Sequence, residues 1–118
     1  MSTLSTTVTS RQNGVTVTQV NIVHTKGDTL VIDYDMTPDS GSPDVPTAAQ
    51  VNIKNIPSGS AVATASASVT DNTTSYNVRA VVNDSDLEGK YYFEAIETHS
   101  TQPVTITPLF GILEVVDR

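Results

Sequence analysis

The sequence predicts an all-β protein: an antiparallel sandwich of seven to eight strands, with a β-barrel as the alternative way of closing the same strands. Three observations point there. Apolar and polar residues alternate with period two over most of the chain, clusters of Gly, Pro, Asn, Asp and Ser separate the alternating runs, and no stretch carries a period of 3.6. The length of 118 residues suits one domain, placed at 14–118 behind a distinct N-terminal segment. With 37% hydrophobic and 5% aromatic residues, the core must come from Val, Ile, Leu and Ala.

Residues 1–13 are rich in Ser and Thr, carry no acid, and offer only Leu4 and Val8 as apolar anchors. They read as a flexible arm or edge strand, able to add to a neighbouring subunit's open edge. "GVTVTQVNIV" begins the domain, and Lys26-Gly27-Asp28 turns it. "TLVIDYDM" alternates cleanly, with Leu30, Ile32, Tyr34 and Met36 inward and Asp33 and Asp35 in water. After the Pro38 to Pro46 connection, "AAQVNIKNI" directs Ala49, Val51 and Ile53 inward and Asn52 and Lys54 outward. "AVATASASV" puts Ala61, Ala63, Ala65, Ala67 and Val69 on one face, expected beneath Tyr34, Phe93 and Phe110 of the facing sheet. Its other face, Val62, Thr64, Ser66 and Ser68, is a candidate subunit contact. No charge occurs between Lys54 and Asp71, and such a strand at a sheet edge invites self-association unless covered. "SYNVRAVV", "KYYFEAIE" and "VTITPLFGILEVV" complete the strands.

Three of the six aromatic residues stand together as Tyr91, Tyr92 and Phe93, behind the acidic turn "DLEG". In a sandwich the chain crosses between sheets before its penultimate strand, and a tyrosine there can bond back to the crossing backbone. Gly89 permits the tight turn, Tyr91 and Phe93 face the core, and Tyr92 faces outward as a candidate contact. The segments "DSGSPDVPTAAQVNI", "DSDLEGKYYFEAI" and "FGILEVVDR" follow one another in an order that resembles a family of small immunoglobulin-like modules of tailed-phage virions and prophages. The N-terminal domains of upper baseplate proteins are one example. The resemblance covers about residues 26–118. It implies an immunoglobulin-like sandwich and a structural role on the virion as a capsid decoration, neck, tail or baseplate accessory subunit. Its expected partners are other virion proteins and further copies of itself, and it would be made in the host bacterial cytoplasm. Larger relatives continue into a fibre region whereas this chain stops at Arg118, which favours a free-standing subunit.

Charge and composition narrow the alternatives. Net charge is −7, and all thirteen acids lie from Asp28 onward while Arg11 and Lys26 precede them, so residues 1–27 carry +2 and the remainder −9 (four bases, thirteen acids). That distribution disfavours nucleic acid and anionic membranes as partners. There is no Cys, no apolar run near the length of a membrane span, and no apolar signal-peptide core in "MSTLSTTVTS". The glycosylation patterns at Asn72 and Asn83 therefore carry no consequence. His24 and His99 lack a nucleophile elbow or other catalytic setting and are expected in solvent. The pairs Asp33/Asp35 and Asp84/Asp86 supply too few oxygens for calcium and are expected to be solvated. No catalytic residue, metal site or cofactor is expected. A carbohydrate-binding or adhesion module on the same fold is the alternative function, with Tyr92 as its one exposed aromatic.

Overall fold

In the computed structural model the chain is described over residues 2–11, 14–15, 18–38, 43–100 and 105–117, and its side chains over 19–37, 43–100 and 105–117. The described residues are all β or irregular, with no helix. Among the described residues ten strands occur: β1 (Ser2–Arg11), β2 (Gly14–Val15), β3 (Thr18–Gln19), β4 (Ile22–Thr25), β5 (Leu30–Pro38), β6 (Ala48–Lys54), β7 (Ala61–Asp71), β8 (Tyr76–Val82), β9 (Gly89–Thr98) and β10 (Thr105–Val116). The order β2-β1-β5-β8-β7-β6-β9-β10-β3, with β4 also on β10, runs almost all the way round a barrel.

Strand β7 joins the two halves. Its first part pairs with β6 (Gln50 opposite Ser66) and its second with β8 (Ala67 opposite Ala80). The corner can be this tight because the inward row is small: Ala63, Ala65 and Ala67 pack half-buried against the core. Strand β7 thus has β6 beside its first part and β8 beside its second.

The sheet is mixed rather than purely antiparallel. Strand β1 runs parallel to β5, and β3 and β4 run parallel to β10. Alternation assigns faces but not the direction of a neighbour, and here one N-terminal stretch passes from one half of the barrel to the other across the seam. Gly111 makes that passage possible. A Cβ at this position would lie 1.6 Å from the Val20 carbonyl oxygen, where the chain leaves β3 and donates Val20 N–H to Phe110 O at 3.0 Å.

The core is the inward parity of each strand. Leu30, Ile32, Tyr34 and Met36 of β5, Val51 and Ile53 of β6, and Tyr76, Val78, Ala80 and Val82 of β8 meet Tyr91, Phe93, Leu109 and Leu113 from β9 and β10. Burying each large aliphatic chain contributes about 1.5–3 kcal/mol. Phe110 departs from expectation. It is 39% exposed, because the register slips between Ile106 and Leu109, and Leu109, Gly111 and Leu113 take the inward parity.

Candidate functional site

Two buried polar clusters close the barrel at opposite ends. At the end where β9 finishes, Glu97 is fully buried. Its Oε2 accepts from the Tyr34 hydroxyl at 2.6 Å, its Oε1 accepts from the Tyr76 hydroxyl at 2.6 Å, and His99 Nε2 lies 2.8 Å from Oε1. His99 Nδ1 in turn lies 3.1 Å from Asp44 Oδ2. The cluster ties β5 and β8 of one half to β9 of the other. Burial, reinforced by the adjacent Glu97 charge, holds both phenols well above the ordinary tyrosine range. Tyr34 and Tyr76 are therefore neutral donors, unsuited to act as bases or nucleophiles, and each Glu97 oxygen already has a partner. The chemistry is that of a clamp.

At the other end His24, also fully buried, places Nε2 2.6 Å from Asp84 Oδ2, which further accepts from Gly27 N–H at 3.1 Å. The hydrogen bond from His24 leads the effects that lower the Asp84 pKa, and the backbone bond from Gly27 acts in the same sense. Asp84 is thus an acceptor, and His24 Nε2 carries the proton of the bond. This pair joins the β4–β5 turn to the β8–β9 crossing. Beside it, Tyr91 locks the same crossing: its hydroxyl accepts from Glu88 N–H at 2.9 Å and donates to Glu88 O at 3.0 Å. Gly89 follows at φ +96°, a conformation that a side chain would strain.

Several sequence expectations change here. Both histidines, expected in solvent, are buried against carboxylates, and Asp84 is bonded rather than merely solvated. Asn52 points outward but is covered, its Oδ1 accepting from Gln50 Nε2 at 3.0 Å and from Thr64 Oγ1 at 3.1 Å. Asp33 and Asp35 are half-buried beneath Asn77, whose Nδ2 reaches their Oδ1 atoms at 2.6 and 3.0 Å, and Arg79 pairs with Asp33 at 2.9 Å. These carboxylates serve as cross-strand acceptors. Among the described residues, no group of three or more His, Asp or Glu is arranged to hold a metal ion.

The outer surface carries the remaining candidates. Val62, Thr64, Ser66 and Ser68 all face solvent. Leu4 and Val8 stand opposite Ile32 and Met36 in register, while their side chains lie outside the described ones. Tyr92, Glu94 and Ile96 form the outward row of β9, with Tyr92 between Lys54 and Ile112, and Glu94 between Asn52 and Phe110. Tyr92 and Phe110 line one groove of about 330 Å³, in which Lys54 and Glu94 form an ion pair. Phe110 in this groove and Glu97 in the buried cluster are site residues that the sequence pattern did not single out. No protein-family model matches the chain, and no curated protein matches it.

Proposed function

We propose that the chain is a non-enzymatic structural subunit of a tailed-phage or prophage virion, acting by contact with capsid, neck or tail proteins and present in many copies. The observation that carries this reading is the outward face of β7. Val62, Thr64, Ser66 and Ser68 are exposed on the strand that joins the two halves, with Gln50 and Asn52 of β6 beside Ser66 and Thr64. Along Val62, Thr64 and Ser66 this gives an uncharged strip, ending at Ser68 opposite the exposed Arg79, on a protein of net charge −7. Such a strip associates with little charge to desolvate, and many weak copies add through symmetry. The polar clusters support the same reading, since both serve to hold the halves of the barrel together. Tyr92 stands two strands away in the aromatic groove and is not needed for this contact. The order of the Pro/Gly loop, the acidic tyrosine turn and the closing Gly111-Ile112-Leu113-Glu114-Val115 adds support by resemblance.

The test is immunolabelling. Antibodies raised against the purified chain should decorate purified particles induced from the bacterium that carries the gene, at regular positions. Label confined to the soluble fraction, with clean particles, would overturn the proposal.

A further inference from the structure

The groove on the outer face of β9 and β10 lies outside the two buried polar clusters, and its lining is unusual for this chain. Tyr92 and Phe110 are diagonal neighbours across the β9–β10 pair, a placement that sets Cα atoms roughly 7–8 Å apart. With Phe93 beneath them, three of the six aromatic residues thus border one open space of about 330 Å³. Ile112 extends the apolar floor, while Gln19 and Thr107 bring an amide and a hydroxyl to the rim. Its two charged members, Lys54 and Glu94, are already paired with each other. The groove is therefore electrically balanced on a strongly acidic protein.

These features select a ligand. A groove with a neutralised ion pair offers no net attraction to an anionic or cationic group, and the protein's charge repels polyanions. An aromatic floor with neutral donors and acceptors at its rim suits a molecule with an apolar C–H face and a polar edge. We infer that the Tyr92–Phe110 groove binds a neutral saccharide, one pyranose ring seated on the aromatic pair and its hydroxyls directed to Gln19, Thr107 and the Lys54–Glu94 pair. The inference is separate from the virion proposal and stands or falls on its own.

Backbone amide NMR of the full chain tests it, using neutral tetrasaccharides of glucose, N-acetylglucosamine, galactose, mannose and rhamnose as probes, with polygalacturonate and a neutral proline-rich peptide as competitors for the assignment. An open groove of this size predicts dissociation constants on the order of 1 mM. At least one neutral saccharide should shift the amides of Tyr92, Glu94, Phe110 and Ile112 while leaving those of β8 in place. Phe110→Ala, which removes an exposed ring, should weaken that binding roughly three- to tenfold, and Lys54→Met should weaken it with the spectrum otherwise unchanged. Shifts produced by none of the saccharides, by polygalacturonate equally, or by the peptide alone would overturn the inference. So would saccharide shifts that persist undiminished in Phe110→Ala.

Discussion

Replacing Glu97 by leucine keeps roughly the volume of the side chain and removes both acceptor oxygens from a fully buried position. Three groups lose their partner: the Tyr34 hydroxyl at 2.6 Å, the Tyr76 hydroxyl at 2.6 Å and His99 Nε2 at 2.8 Å. A buried polar group left unsatisfied costs about 1–3 kcal/mol. Breaking a buried charged cluster from one side costs about 3–5 kcal/mol in total, because the orphaned groups relax together. Against a domain stability of about 5–15 kcal/mol, Glu97→Leu should remove about a fifth or more, lowering Tm by roughly 10–25 °C for a chain of this size. Glu97→Gln, which keeps one acceptor but sets an amide donor against a hydroxyl, should fall between the two. Urea melts followed by circular dichroism and tyrosine fluorescence give the values, with the slope unchanged if the native and unfolded states keep their compactness. A double-mutant cycle with Tyr34→Phe should show coupling of about 1–3 kcal/mol. A loss below about 1 kcal/mol, or additivity within about 0.5 kcal/mol, would refute the clamp.

The same cluster makes an alkaline prediction. The Tyr34 and Tyr76 pKa values are raised in the folded state, so their stabilising contribution is complete below the unfolded value of 10.0 and is lost as pH rises above it. Absorbance near 295 nm should show these two phenols ionising only with unfolding, and Tyr34→Phe/Tyr76→Phe should abolish that late step. Asp84 has the opposite sign: its folded pKa is lowered from 3.8, so its contribution is present above that pH and is lost as pH falls below it. The stability gap between wild type and Asp84→Asn, measured by urea melts at stepped pH, should be widest near neutrality and close in acid. Gly111→Ala sets a Cβ 1.6 Å from the Val20 carbonyl oxygen, a backbone clash that flexible side chains cannot relieve. It should cost about 3 kcal/mol or more, as severe overpacking does, whereas Gly111→Ala at wild-type Tm would show that the chain crosses elsewhere.

Much of this architecture was legible in the alternation. Leu30 to Met36, Val51 with Ile53, and Tyr76 with Val78 fall inward as period two requires, since a half-buried strand can satisfy its patterning in one way only. Strand direction was not legible, because β1 and β4 take partners that the spacing of turns does not specify. Phe110 was misread for a local reason: both parities of "TITPLFGILEVV" are apolar, and the register slip after Ile106 decides between them. Glu97 and His99 share the inward parity of Tyr91, Phe93 and Ala95, a signal that weighing residue type over position concealed. His24 gave no such signal. Its partner Asp84 lies 60 residues away, and Val23 beside it, the more apolar side chain, is 69% exposed. The aromatic groove followed from the same slip, for without it Phe110 would stand in the core and Tyr92 alone on the surface.

The two buried ends hold the fold while the outward face of β7 is the proposed partner contact, and co-sedimentation separates these directly. Purified wild-type chain added to particles from a strain deleted for its gene should pellet with them. Ser66→Arg, a change at an exposed position expected to alter stability by no more than about 0.5 kcal/mol, should stay in the supernatant. Wild-type chain that fails to pellet, or Ser66→Arg chain that pellets equally well, would contradict the assignment of that face.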